Sequence, residues 1–247
     1  MVEFARGLSA RDLGALAELE VRTVAADGGR LKLEWGVLRA RGNRDVEDFL
    51  WWEAERLLGF LGLYAFGTHT VEIAGMVDPG ARRRGIATAL LDAALPICVG
   101  RGYQQALLVI PRGSVAGREL SLSRGAVLEH SEHALVLLGP PIHGPADLSN
   151  ESERTLVLEL QGLIVGTMRV TRQRDTAGVY GFAVDPAWQG RGIGRDVLRR
   201  VCRELRDQGV RRITLEVAVD NDRALGLYTS LGFKQVTTED YYALRLS

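Results

Sequence analysis

The chain has 247 residues, 46% hydrophobic and 25% charged, with 31 basic residues balancing 31 acidic ones. That is the composition of an ordinary globular protein with a sizeable core. Zero formal charge and no basic run longer than three residues argue against a nucleic-acid or anionic-membrane partner, so a small one is expected. No apolar stretch approaches the ~18 residues that span a bilayer, and residues 1–14 lack a basic end followed by an apolar run, so a cytoplasmic protein is expected.

In chain order, Ala10–Val21 and Leu31–Leu38 have the periodicity of helices. Strands follow near Asp48–Glu53, Leu57–Ala65 and Val71–Val77, then a helix from Gly85 in which Pro96 should kink or end the regular turn near Leu95. A strand at Ala106–Ile110, a shorter helix and a strand at Ala134–Leu138 complete the first half. The Pro-, Gly- and Ser-rich stretch that follows reads as a linker, giving domains 1–140 and 155–247 around residues 141–154. The second half opens with strands Thr155–Leu160 and Ile164–Val170 around Gly162, and a third strand at Val179–Val184. From Gly192 to Asp207, Ile193, Val197, Leu198, Val201 and Leu205 share one helical face and arginines take the rest. A strand over Ile213–Val219, a short helix over Asn221–Leu231 and a strand over Tyr241–Leu246 end the chain.

The two halves are copies. Val77-Asp78-Pro79 recurs as Val184-Asp185-Pro186 and Arg84-Gly85-Ile86 as Arg191-Gly192-Ile193, at a constant offset of 107 that also places Gly102 on Gly209 and Gly125 on Gly232. Cys98 and Cys202 fall in helices without partners at ligand spacing. The histidines, His69, His130, His133 and His143, are scattered as well, so no metal is expected. Lysine occurs only at Lys32 and Lys234; the other 29 basic residues are arginine, which reads first as base-composition bias.

Gln189-Gly190-Arg191-Gly192-Ile193-Gly194 lies between a strand and an amphipathic helix. There the first helical N–H groups have no internal partner and the dipole is positive, so a glycine-rich entry lets a phosphate approach several amides, with Arg191 adding a charged contact. The equivalent Arg82-Arg83-Arg84-Gly85-Ile86-Ala87 keeps the Gly, the Ile and a small residue and adds two cations. No Gly-Lys-Ser/Thr ends either loop, and the glycine spacing is not that of a dinucleotide fold.

In both copies (Gln/Arg)-x-x-Gly-x-(Gly/Ala) after a strand and before a helix resembles the acyl-CoA loop of the GCN5-related N-acetyltransferases, the GNAT family. The resemblance implies a mixed α/β sheet in each of two tandem domains, with acetyl-CoA as acyl-donor substrate and an amine of a small molecule or peptide as acceptor. Its pyrophosphate would lie on the loop amides and its pantetheine arm along Phe182, Ala183 and Val184. A second such site would use Met76 and Val77 with the first loop. Asn221-x-x-Ala224-x-x-x-Tyr228 followed by Gly232-Phe233 resembles the family's downstream motif. Asn221 would contact the pantetheine or a nearby helix, and Tyr228 would protonate the leaving thiolate. The first copy has Ser114, Ser121 and Ala126 at these positions, so it reads as degenerate and the second as catalytic. The base stays open among Glu216, Glu159 and, in the first copy, Glu72. The family's acceptor wall is a helical pair between the first two strands. The first copy has it and the second does not, so the N-terminal domain or another subunit of a homo-oligomer is expected to supply that wall. A non-catalytic acyl-CoA sensor and transfer of a longer acyl group are the alternative readings.

Overall fold

The computed structural model describes residues 1–65, 67–139 and 151–246. In chain order their elements are β1 (Val2–Ala5), α1 (Ala10–Asp27), α2 (Trp35–Ala40), β2 (Asp48–Glu53), β3 (Arg56–Tyr64), β4 (Thr70–Val77), α3 (Ile86–Gly100), β5 (Gln105–Pro111), α4 (Val115–Ser123) and β6 (Val127–Leu138). The second copy contributes β7 (Glu151–Leu160), β8 (Leu163–Gln173), β9 (Thr176–Val184), α5 (Ile193–Asp207), β10 (Arg212–Ala218), α6 (Asp222–Ser230) and β11 (Lys234–Arg245). Every strand and helix expected from periodicity is present. The additional β1 is too short for a two-residue alternation to stand out. β7 begins at Glu151, inside the stretch expected as linker, while residues 140–150 lie outside the described chain.

α3 does not end near Leu95: it continues through Pro96 to Gly100, because the proline falls in the last turns, where Leu90, Leu91, Ala94 and Cys98 are all buried against the sheet and hold the helix past the missing N–H. α1 starts at a capping box in which Ser9 and Asp12 bond each other's backbone N–H.

Packing divides the chain into two compact units, Met1–Ser131 with Thr237–Ser247, and Glu132–Val236. These units differ from the sequence copies by their last strands. In the first unit the strand order is β1-β2-β3-β4-β5-β11. β5 is bonded antiparallel to β11 from Gln105↔Arg245 to Pro111↔Glu239, and parallel to β4 through the α3 crossover. Leu16, Leu19 and Leu38 of α1 and α2 bury against Leu50, Phe60 and Met76 on one face, and α3 packs on Phe49, Ile73 and Leu108 on the other. In the second unit the order is β6-β10-β9-β8-β7, with β10 bonded to β6 from Arg212↔Leu138 to Ala218↔Glu132. Leu198, Val201 and Leu205 of α5 and Tyr228 of α6 join Met168, Val170, Val179 and Leu215 in a single core. Among the described residues this unit has no counterpart of α1 and α2.

Each unit therefore completes its sheet with a strand from the other copy. A chain stopped after Val236 should lose amide-exchange protection over Gln105–Pro111 while Arg212–Ala218 keeps it; equal protection of β5 in the full and shortened chains would contradict this pairing.

Candidate active site

Both parallel strand pairs separate early. β9 is bonded to β10 only from Thr176↔Arg212 to Val179↔Leu215, yet stays paired with β8 as far as Val184↔Gly166. The edge from Gly181 to Val184 on the β10 side thus has no described strand against it, and the predicted residues Phe182, Ala183 and Val184 lie on it. Gly181, at φ +55°, sits in a bulge where the β8–β9 register slips between Thr167 and Arg169. β4 parts from β5 in the same way after Ile73↔Leu108, which leaves Ala74–Val77, including the predicted Met76 and Val77, on an open edge.

The repeated Val-Asp-Pro has a structural explanation. Asp78 and Asp185 donate their backbone N–H groups at 2.8 Å to Leu58 O and Val165 O of the neighbouring strands. Their carboxylates then accept from Gly80 N–H at 3.0 Å and Ala187 N–H at 2.8 Å, capping the short 3-10 turns Pro79–Ala81 and Pro186–Trp188. Burial alone would raise the Asp78 carboxyl, but bonds from Arg56, Gly80 and Arg22 outweigh it and hold the group below the usual carboxylate range.

Beyond the turn in the second copy, Gln189 Nε2 donates back to Val184 O at 2.8 Å, and Arg223 on α6 donates to Gln189 Oε1 at 2.7 Å. Arg191 lies 4.8 Å from the Trp188 ring centre and donates to Ala187 O. Gly190 and Gly192 have φ +79° and +82°, a region that strains other residues. Gly192 is the N-cap of α5 and offers no side-chain cap. The first helical bond is donated by Asp196 N–H to Gly192 O at 3.1 Å, so the N–H groups of Ile193, Gly194 and Arg195 have no acceptor within the helix. A Cβ on Gly194 would lie 3.6 Å from Phe182 and 3.7 Å from both Val184 and Leu227, so the strand edge, the loop and α6 converge at this glycine.

In the first copy the same turn is built with Gly85 as N-cap at φ +78°, and the first helical bond is donated by Ala89 N–H. Its cations are committed elsewhere: Arg82 forms a bidentate pair with Asp27 at 2.8 and 2.7 Å, Arg83 bonds Glu119 at 2.6 Å, and Arg84 bonds Glu53. The Arg84 bond holds the Glu53 carboxyl below its ordinary range. Arg83 replaces Gly190 at φ +62°, a strained conformation for a residue with a Cβ. Sequence reading missed these carboxylates because Asp27 and Glu119 come from α1 and α4, far from the loop in the chain. A cavity of about 520 Å³ opens here between β4, β5, α1, α3 and α4. Met76, Val77, Arg82, Arg83, Gly85, Ile86 and Ala87 all line it; Arg84 does not.

Asn221 Oδ1 accepts from Ala224 N–H at 3.0 Å and so caps α6, the task that Ser114 performs on α4. Tyr228 is 7% exposed and its ring centroid is 6.1 Å from that of Phe233. Burial raises its phenol above the ordinary value. Ser121, its counterpart, is fully buried and donates to Gly117 O at 2.9 Å. Glu216 is the first β10 residue after the β9 pairing stops, on the face opposite the buried Leu215 and Val217. Glu159 lies on β7, away from this divergence. Cys98 and Cys202 are buried, and burial lifts each thiol to about 11. Among the described residues no cluster of three or more His, Cys, Asp or Glu could hold a metal, and no helix is long and apolar enough to cross a membrane.

The sequence model of the acetyltransferase (GNAT) family matches residues 19–115 and again 127–233. The chain belongs to that family and carries two of its domains in tandem. A relative, the [ribosomal protein bS18]-alanine N-acetyltransferase of Escherichia coli K12, is 38% identical over 96 residues, which cover 38% of this chain and 65% of that protein. Among solved structures, a GCN5-related N-acetyltransferase from Sphaerobacter thermophilus superposes with TM-score 0.78 at 18% identity, over 100% of this chain and 95% of that one. A tandem GNAT protein from the clavulanic acid biosynthesis pathway gives 0.65 at 18% identity, over 100% and 99%. At these identities the structures support the fold.

The open β9 edge depends on close strand approach. A Cβ on Gly166 would come within 2.4 Å of Ala183 O. Gly166→Ala should cost about 1–3 kcal/mol in urea unfolding and displace Ala183 and Val184; an unchanged midpoint would show that the strands have room.

Proposed function

We propose that the protein is an acetyl-CoA-dependent N-acetyltransferase in which the second copy carries out transfer to an amine of a peptide or small molecule by direct attack. The observation that carries this reading is the convergence at Gly194 of uncapped helix amides, an open strand edge and the tyrosine-bearing helix. When bound, acetyl-CoA supplies an activated acetyl thioester. Amides of Ile193, Gly194 and Arg195 hold the diphosphate at the positive end of α5, with Gln189, Gly190, Arg191 and Gly192 shaping the loop around it. Backbone groups of Phe182, Ala183 and Val184 bond the pantetheine arm as an added strand and orient the carbonyl. The amide of Asn221 reaches that arm while its oxygen caps α6. Glu216, at the strand divergence, takes the proton from the attacking amine through water. Tyr228, kept protonated by burial, gives its proton to the sulfur. The relative's name places an alanine amine of a ribosomal protein among acceptors handled by a similar domain, which favours a peptide amine here.

The first copy supports a second reading. Its cavity and uncapped Gly85 turn suit an acyl-CoA held by Met76, Val77, Ile86 and Ala87, with Arg82 and Arg83 at the mouth and Arg84 on the turn, but Ser121 supplies no acid there. That unit fits a supporting or sensing role, and the cavity's volume of about 520 Å³ leaves room for acyl groups longer than acetyl.

Tyr228→Phe should lower kcat about 10²–10⁴-fold while calorimetry shows unchanged acetyl-CoA affinity; full turnover in this variant would overturn the acid assignment, and no transfer to any amine by the parent would favour the sensor. Titration stoichiometry separates the two loops: Gly192→Asp should remove the transfer site and Gly85→Asp the supporting one, each introducing a carboxylate where an anion is to bind. Retained tight binding in a folded Gly192→Asp chain would contradict the loop reading.

A further inference from the structure

A half-buried amine faces a carboxylate on the α1 side of the first unit. Lys32 is one of two lysines among 31 basic residues, and its side chain is 10% exposed. Its Nζ donates to Tyr241 Oη at 2.5 Å, lies 3.4 Å from Glu72 Oε2 and sits 5.0 Å from the centre of the Tyr241 ring. Glu72 pairs with Leu107, one step before the last β4–β5 pair, Ile73↔Leu108. On the same face of β4, Ala74 and Met76 follow it along the edge where the strands part. Met76, Gly75 and Leu31 line the cavity of this unit; Lys32 and Glu72 lie outside that lining and border it through their chain neighbours Leu31 and Ile73. The amine therefore lies beside the strand divergence, on the face opposite α3.

A guanidinium would satisfy an ion pair with Glu72 equally well, and arginine serves nearly everywhere else in this chain. What lysine alone brings is a nitrogen that can lose a proton and attack a carbonyl. Glu72 is placed to receive that proton, while Tyr241, delivered by the last strand of the other copy, holds the nitrogen in place.

We propose that Lys32 is an internal acetyl acceptor, modified by acetyl-CoA bound in the cavity of the first unit; this rests on the reading of that cavity given above. The Lys32 ammonium passes one proton to Glu72. The neutral nitrogen then bonds to the thioester carbonyl carbon, the carbon–sulfur bond breaks, and the second nitrogen proton leaves on the thiolate, giving acetyl-lysine and free coenzyme A. Ser121 stands where the second copy has Tyr228, so the counterpart of that phenol is missing and the step is a slow single modification. Acetylation removes the positive charge that Glu72 and Tyr241 now hold, and so alters the polar cluster behind the cavity.

The test uses the full chain incubated with acetyl-labelled acetyl-CoA, with peptide mass spectrometry as readout and calorimetry on the same samples. Lys234 is exposed and reports background chemical acetylation. Lys32 should be labelled faster than Lys234, Glu72→Gln should slow Lys32 about 10²-fold while leaving Lys234 unchanged, and Lys32→Arg should abolish the labelled peptide. Lys32 labelled no faster than Lys234, in a chain whose Gly85-dependent binding heat is intact, would overturn the proposal. If Gly85→Asp leaves the binding heat unchanged, the first cavity does not take acetyl-CoA and the proposal falls with that reading instead.

Discussion

Two parallel strands that stop bonding to each other after four residue pairs are the constraint on which the site rests. Continued pairing would bury the edges of Gly181–Val184 and Ala74–Val77 in sheet. The glycine-capped helix that follows each strand would then point its amides at nothing a ligand could bridge. The separation is maintained from both sides: β8 or β3 holds the outer edge in register, and the aspartate-capped turn fixes the direction in which the chain leaves the strand. The bulge at Gly181 adds a local twist in the second copy that β4, in unbroken register with β3, does not have.

Much of this was legible in the sequence because the signals are local. The constant spacing between copies, the alternation of Ile213, Leu215 and Val217, the one-sided apolar stripe of the helix after Gly192 and the glycine-rich entry each depend on a few neighbouring residues. The structure gives the repeated aspartate a capping role and the asparagine of the downstream motif another, so part of what reads as ligand chemistry is also backbone accounting. What could not be read was long-range. Neither the pairing of β5 with β11 nor that of β10 with β6 leaves a trace in periodicity, since any alternating strand could fill either slot. The carboxylates that neutralise Arg82, Arg83 and Arg84 were hidden for the same reason, and three adjacent cations therefore promised more attraction for phosphate than the paired side chains offer.

The two copies have diverged in complementary directions. The first keeps the helical pair α1 and α2 and a cavity of about 520 Å³, but has a small hydroxyl where the second has Tyr228. The second keeps Tyr228, the glycine-rich loop and the bulge, without a described helical pair. The same scaffold, duplicated, thus separates features that a single domain would have to hold together.

The exchanged last strands also set a timetable for folding. Gln105 is bonded opposite Arg245, so β5 waits for its neighbour through the synthesis of the intervening chain, on the order of ten seconds at typical elongation rates. Until then its apolar residues Ala106, Leu107 and Leu108 present an unprotected edge of the kind that recruits foreign strands. Nascent molecules of this protein are accordingly most vulnerable to mispairing between the synthesis of β5 and that of β11, and a holding chaperone acting on that edge in this interval would improve their yield.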